Sequence, residues 1–488
     1  MKPINSEASH FAQLDHFFHP QSIAIVGASE RGMYPAGLLH SLLDNGFPGP
    51  IYPVNPGREA VFGLACYPDL THLPEVPDLV VLVVRRHLVI AILRQCIELC
   101  VPAALVISAG FAEADAEGKK LQLEMAGLLA NTPLTIIGPN CAGLANIPGK
   151  VIVTRLTSVP ETGSLSFVSQ SGALMMALSG LFVDRRLGMS RLLSLGNQVN
   201  VSLADGLAYL ARDDATRIIG AFVEGVQDGR RFAAALQLAM EAGKPIVMVK
   251  SGRTSAGQEA AKTHTAAMAG SDRVFSAVCR QMGVILVDDV DELMDTVQLL
   301  AAFDPHLNGR GHIALVTQSG GMGSLAADLC QRMGLPLPAL SPDLQEALRT
   351  LPHLLQFDDF GNPADVRGAA LIGEAAAQTL APFLSDRDID VVVLLLAKST
   401  WRAGEVETAQ AIVQAAQAVN KRLLAVWVGQ RSKGDQEGSR SAADYLVEAG
   451  IPTFDSPKRA IQALARAVNY HRYRAKWLAD SKDLEKHN

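Results

Sequence analysis

Phe167-Val168-Ser169-Gln170-Ser171-Gly172 returns later in the chain as Leu315-Val316-Thr317-Gln318-Ser319-Gly320. Each stretch runs a short apolar strand into hydroxyl residues and glycine, where a helix is expected to start. Such a strand-to-helix turn belongs to a βα unit, and units of this kind build parallel sheets. At the turn, unpaired backbone N–H groups and the positive helix end make a ready site for an anion. One such turn reads equally well as an ordinary cap. Two near-identical turns at the same point of consecutive units suggest two helix N-termini serving one phosphate, against the plainer reading of duplicated domains that keep an unused cap. The candidate phosphate ligands are Ser169, Gln170, Ser171 and Gly172 in the first turn, and Ser319, Gly320 and Gly321 in the second.

Outward from these turns, apolar runs alternate with helical patterns along the whole chain. The first unit has strands expected at Ile23–Val26, Ile51–Val54, Leu79–Val84, Ala104–Ile107 and Thr135–Ile137. The second has Ser164–Val168, Leu192–Ser194, Ile218–Val223, Ile246–Lys250 and Val284–Val287. The third has Ile313–Val316, Val391–Leu396 and Leu423–Val428, with a closing helix from about Pro457. Linkers are expected at 147–161 and 303–310. The pattern predicts three α/β domains, over residues 1–148, 149–306 and 307–488, which suits 488 residues at roughly 150 per domain.

Hydrophobic residues make up 49% of the chain and only 26 residues are aromatic, so the apolar share is mainly aliphatic, as parallel sheets require. A net charge of −6 with no basic run gives no footing for nucleic acid. The longest apolar runs fall far short of the ~18 residues that span a bilayer, and the first twenty residues lack the apolar core of a signal peptide. Six cysteines without a CxxC pair read as reduced core thiols, which places the protein in the cytoplasm. Cys96 and Cys100 stand at helical i, i+4 spacing and read as simple packing rather than as a metal site.

Two further features carry chemistry. The stretch from Ser251 to Gly270 is long, polar and rich in small residues, as functional loops are. His264 stands at its centre, and a neutral imidazole there can attack a phosphoryl group to give a phosphohistidine. Its second ring nitrogen needs an acceptor, and Glu224, just past the strand Ile218–Val223, is a suitable carboxylate. In the first unit, Gly27-Ala28-Ser29 follows the first strand without completing a G-x-G-x-x-G fingerprint. The second strand ends in Asn55-Pro56, where an NAD site would carry an acid. With the edge loops Ser108-Ala109-Gly110-Phe111 and Gly138-Pro139-Asn140-Cys141, these turns predict a nucleotide-like ligand other than NAD. Tight turns alone would explain each of them equally.

Taken in order, these motifs, with Tyr52-Pro53-Val54-Asn55-Pro56, Ser194-Leu195-Gly196-Asn197, Ser251-Gly252-Arg253-Thr254, Thr263-His264-Thr265 and Asn362-Pro363-Ala364-Asp365, resemble the alpha subunit of NDP-forming (ADP-forming) acyl-CoA synthetases of the acetyl-CoA synthetase type, in the succinyl-CoA synthetase superfamily. The resemblance runs from about Phe17 to Tyr470. It implies a Rossmann-like CoA-binding domain followed by two flavodoxin-like ligase domains. It also implies interconversion of acyl-CoA, phosphate and ADP with carboxylic acid, CoA and ATP, through an acyl phosphate and a phosphohistidine at His264. Glu224 would orient that histidine. Gly27, Ala28, Ser29, Asn55, Pro56, Ser108, Ala109, Gly110, Asn140 and Cys141 match the positions that meet CoA.

The sequence departs from the family pattern in three places. Thr263-His264-Thr265-Ala266 replaces Ser-His-Thr-Gly, Arg85-Arg86 follows the third strand, and Asn200 stands where relatives often have Asp. No ATP-grasp hairpin or metal-binding acid pair is found, and the chain carries no metal pattern of its own. The resemblance therefore implies a separate ATP-grasp β subunit in a heteromer such as α2β2, with ATP or ADP and Mg²⁺ held mainly by that partner. The alternative is an inactive CoA-binding regulatory or scaffold protein of the same fold. A nicotinamide oxidoreductase is disfavoured by Asn55.

Overall fold

The computed structural model describes residues 13–262, 271–303, 307, 309–354, 360–366, 368–397, 404–418, 422–428 and 441–486. By its contacts the chain divides into two compact units, residues 1–288 and 289–488.

The first unit holds two large sheets, besides a small antiparallel pair at Ala60–Val61 and Leu64–Ala65. In one, β1 (Ile23–Val26), β2 (Ile51–Val54), β3 (Leu79–Leu82), β4 (Ala103–Val106) and β5 (Thr135–Ile137) are all parallel, in the order β2-β1-β3-β4-β5. The other begins with a hairpin, β6 (Gly143–Asn146) and β7 (Val151–Thr154), which runs antiparallel at its edge. Five parallel strands follow: β8 (Thr162–Ser169), β9 (Met189–Ser194), β10 (Ile218–Val223), β11 (Ile246–Lys250) and β12 (Ile285–Val287), in the spatial order β12-β11-β10-β8-β9-β6-β7. The stretch expected to be a linker, 147–161, thus contains β7. Its Val151-Ile152-Val153-Thr154 is buried throughout because the hairpin extends the sheet.

The second unit carries β13 (Ile313–Thr317), β14 (Ala364–Asp365), β15 (Val391–Ala397), β16 (Arg422–Val428) and β17 (Thr453–Phe454), parallel in the order β14-β13-β15-β16-β17. The helix Val290–Phe303 packs here on the long helix Pro457–Lys486. Arg459 bonds Asp295 at 2.6 and 2.8 Å, and Arg466 reaches Glu292 at 2.5 Å. The short strands β14 and β17 were not expected, since two residues carry no readable period.

Numbered within each sheet, the parallel strands follow one order, 2-1-3-4-5, which is that of flavodoxin-like sheets. Strands such as Ile23–Val26 and Val80–Leu82 are buried on both faces, because helices cover both sides of a parallel sheet. In this topology the chain leaves the first and third strands in opposite directions, opening a crevice at their carboxyl ends. The switch points lie after Val26 and Leu82, after Ser169 and Val223, and after Thr317 and Ala397. Among the described residues no helix is long and apolar enough to cross a membrane.

Candidate functional site

The switch point of the second sheet gathers the most. β8 ends in Ser169, and Ser171 caps the helix Gly172–Asp184 by accepting from Leu174 N at 3.3 Å. The Ser169 hydroxyl closes the turn, accepting from Ser171 N at 3.1 Å and donating to Ser171 O at 2.7 Å. Gln170, expected at the phosphate, turns its side chain to the end of β10. Its Nε2 donates to Gly225 O at 2.7 Å, and its Oε1 accepts from Gly225 N at 3.0 Å and from Glu224 N. The helix start therefore offers its backbone N–H groups beside a half-buried carboxylate, Glu224.

This turn opens onto a cavity of about 1010 Å³, large enough for a cofactor-sized ligand. Gln170, Ser171, Gly172 and Glu224 line it together with Ser108, Ala109, Asn140 and Cys141. Candidates named for phosphate, for catalysis and for CoA thus share one space. Apolar groups, among them Val83, Ile107 and Met176, make up another part of the wall. Among the described residues no Lys, Arg or His side chain lines it. The helix-end N–H groups can hold an anion there.

The other first-domain candidates meet at the ends of β1 and β2, outside that lining. Gly27 has φ +90°, and a Cβ there would come within 2.4 Å of Val83 O, so the first crevice admits only glycine at this point. Asn55 joins the two turns. Its Nδ2 donates to Ala28 O at 2.8 Å and its Oδ1 accepts from Gly57 N at 3.0 Å. Ser29 Oγ accepts from Arg31 N at 3.0 Å, and Pro56 follows Asn55 in the same turn. The Ser108 hydroxyl is used within the sheet, accepting from Val84 N at 3.0 Å and donating to Leu82 O at 3.3 Å. Burial pushes the Cys141 thiol up to about 12, so it stays protonated and serves as packing. Gly110, at φ +97°, lets its carbonyl accept from Arg86 at 2.8 Å.

Arg86 also pairs with Asp115 and Glu117, each at 2.8 Å, so its charge is engaged by acids of its own domain. Asn200 is likewise structural, its Oδ1 accepting from Ile136 N at 3.0 Å. His264 and its neighbours Thr263, Thr265 and Ala266 lie outside the described residues. The turn with Ser319, Gly320 and Gly321 lies in the second unit at that sheet's switch point. Among the described residues no group of three or more His, Cys, Asp or Glu could hold a metal ion.

One set of lining residues was missed in the sequence. Glu113 accepts from Gly110 N at 2.7 Å and Phe111 N at 3.0 Å, and takes Asn197 Nδ2 at 2.5 Å. Asn197 also donates to Gln122 at 2.8 Å and accepts from Asn140 at 3.3 Å. Burial works to raise the Glu113 pKa, but the bonds from Asn197, Gly110 and Phe111 together hold it below its ordinary value. The available signal was the position of Glu113 just past Ser108–Phe111, together with Asn197 in the Leu-Gly-Asn turn.

Residues 21–147 match the family described as CoA binding domain, 162–300 the succinyl-CoA ligase like flavodoxin domain, and 313–478 the ligase-CoA domain. The chain is 32% identical over 450 residues to the acetate–CoA ligase [ADP-forming] II subunit alpha of Pyrococcus furiosus, covering 91% of this chain and 95% of that one. It belongs to the ADP-forming acyl-CoA ligase family. Another family member, acetate–CoA ligase [ADP-forming] I of Archaeoglobus fulgidus, is 34% identical over 464 residues. The alignment covers 95% of this chain but spans only 64% of that longer protein. The fold agrees with a solved ligase of the family, the dinucleotide forming acetyl-coenzyme A synthetase 1 of Ca. Korarchaeum cryptofilum in complex with phosphate and ADP. The TM-score is 0.87 at 27% identity, covering 96% of this chain and 98% of that one.

Proposed function

We propose that this chain is the acyl-CoA-handling alpha subunit of an NDP-forming acyl-CoA synthetase. Acyl-CoA and inorganic phosphate would give an acyl phosphate and free CoA at the cavity. His264 would then take the phosphoryl group, releasing the carboxylic acid, and ADP would accept it to make ATP. The reverse sequence forms the thioester at the expense of ATP. One observation carries the reading: the helix end at Ser171-Gly172, the Glu224 carboxylate and the CoA-domain residues Ser108, Ala109, Asn140 and Cys141 surround one cavity.

Phosphate suits the helix N-terminus because unpaired N–H groups and the helix dipole favour an anion without a cation beside it. Glu224 would accept from one imidazole nitrogen, leaving the lone pair of the other for phosphorus. CoA would rest along the carboxyl edge of the first sheet, against Gly27, Ala28, Ser29, Asn55, Pro56 and Gly110 as well as the cavity residues. Mg²⁺ would be held with the nucleotide. We assign the nucleotide to an ATP-grasp β subunit in an assembly such as α2β2, in the cytoplasm. Two P. furiosus relatives named as alpha subunits, of which this chain covers 95% and 99%, support a separate partner.

The test is phosphorylation of the chain by acyl-CoA with radioactive phosphate. Label on the wild type, with loss in His264→Ala and CoA binding retained, is the expected result. CoA binding without label in the wild type would mean an inactive CoA-binding regulator. Loss of both functions in the variant would make His264 structural.

A further inference from the structure

We propose that Gln170 is a positioning residue for Glu224 rather than a phosphate ligand, a strap that ties the helix-end turn to the strand carrying the carboxylate. The proposal rests on the reading of Glu224 given above. Gln170 is 9% exposed. Both lone pairs of its amide oxygen are taken, by Glu224 N and Gly225 N, and one N–H is given to Gly225 O. Its own backbone N–H donates to Phe222 O at 3.2 Å. Main chain and side chain of one residue therefore grip Phe222, next to last in β10, and the two residues beyond the strand. No more than one N–H is left to offer a phosphate.

The grip falls where two requirements meet. The helix end must stand at a fixed distance from the carboxylate, because the phosphoryl group must sit by one and its acceptor by the other. Each belongs to a different strand end, β8 and β10, and strand ends splay at a switch point. Nothing in the sheet ladder fixes Glu224, since the ladder stops at Val223. The amide of Gln170 replaces the missing ladder bonds across the gap. The second unit repeats the device more sparsely, with Gln318 Nε2 donating to Ala397 O at 3.0 Å across the corresponding gap.

The experiment compares Gln170→Leu and Gln170→Glu in the full 488-residue chain. Phosphorylation by acyl-CoA and phosphate is followed by rapid quench, and hydrogen exchange of the 222–227 segment is measured without substrate. A positioning role predicts a fall in the phosphorylation rate of about 10–100-fold, the range typical for outer-shell partners. The phosphate concentration at half-maximal rate should stay within about threefold, because the helix end is untouched.

Gln170→Glu keeps the shape and still accepts both N–H groups, but an ionised oxygen opposes Gly225 O. Protonation restores the missing donor, so its rate should recover as pH falls, whereas that of Gln170→Leu should not. Exchange at 224–225 should quicken in Gln170→Leu. If half-maximal phosphate rises by tenfold or more while the maximal rate is kept, Gln170 is a phosphate ligand and the proposal fails. Unchanged exchange in both variants overturns it whatever the kinetics. If the wild type takes no label, the enzyme reading fails, and the exchange data still decide whether Gln170 fixes the turn. Should Gln170→Leu not fold, the isosteric Gln170→Glu carries both measurements.

Discussion

The turns at Ser169 and Thr317 are built from the same bonds. In each, a hydroxyl accepts from the N–H two residues on and donates to that residue's carbonyl. A serine then caps the helix, taking Leu174 N at 3.3 Å in one turn and Met322 N at 3.5 Å in the other. A glutamine reaches the end of the third strand in both. They differ in what faces the helix end. The first opens onto the cavity, with Glu224 set beyond it. In the second, β14 brings Asp365 up to the turn, and a Cβ on Gly320 would lie 3.0 Å from its Oδ2. Asn362 fixes that strand, accepting from Leu315 N at 3.0 Å and donating to Ile313 O at 2.7 Å. A helix end attracts an anion only to the extent that the protein has not already placed its own there.

The largest effect should come from Glu224→Gln. An amide in place of the carboxylate can present a donor where an acceptor is needed, and the corresponding change in a serine protease triad costs about 10⁴-fold. A fall of roughly 10²–10⁴ in the phosphorylation rate is therefore expected by rapid quench, against less than about tenfold for Asp365→Asn. Equal losses would erase the functional difference between the turns.

Next in size is Gly172→Ala. Its new Cβ would lie 2.7 Å from Ala142 Cβ and 3.3 Å from Ala142 N, atoms anchored in backbone that cannot swing aside. A loss of about 1–3 kcal/mol is expected in urea unfolding. An unchanged midpoint would mean that the first turn is not closely packed. Glu113→Ala should cost a similar ~1–3 kcal/mol, since it leaves Gly110 N, Phe111 N and Asn197 without their acceptor. The sign of its pH effect follows from its lowered pKa. The contribution is present above the ordinary value of 4.5 and is lost as pH falls through the folded value. Acid unfolding of wild type and variant should therefore converge at low pH; parallel curves would remove Glu113 from the acid response.

Much of this was legible in the sequence because parallel strands advertise themselves. Continuous runs such as Val391–Leu396 are buried on both faces, and glycine or hydroxyl turns mark where helices begin. Both echoed turns were read as helix starts, and Ser171 and Ser319 do cap their helices. What was not legible is what lies across the gap. Gln170 looked like a ligand because it sits in a ligand-like turn, but its amide is used by Glu224 and Gly225, far away in sequence. Ser108 and Asn55 were similarly drawn into sheet and turn bonds. Arg86 likewise gives its charge to Asp115 and Glu117, which a departure from the family pattern at Arg85-Arg86 could not foretell. The strand β7 inside an expected linker shows the same limit, since the hairpin exists only because β9 offers an edge. Patterning carries local structure, whereas the partner of a polar side chain is set by topology.

The smallest expected effects test the second turn alone. A methyl at Gly321 would meet nothing within 4 Å, so Gly321→Ala should gain about 0.5–1 kcal/mol from helix propensity. Asp365→Asn removes a negative charge from the positive end of the helix Gly320–Arg332 and should cost about 0.3–1 kcal/mol at low salt. The informative quantity is the change in that cost with phosphate. If Asp365 occupies the helix end in place of a ligand, removing its charge frees the end, and added phosphate should stabilise Asp365→Asn more than the wild type by linkage. Sodium chloride at matched ionic strength controls for screening, because screening weakens the helix–carboxylate attraction in the wild type alone. If phosphate instead stabilises the wild type more, Asp365 helps to hold the anion, and the two turns act as equals despite their different neighbours.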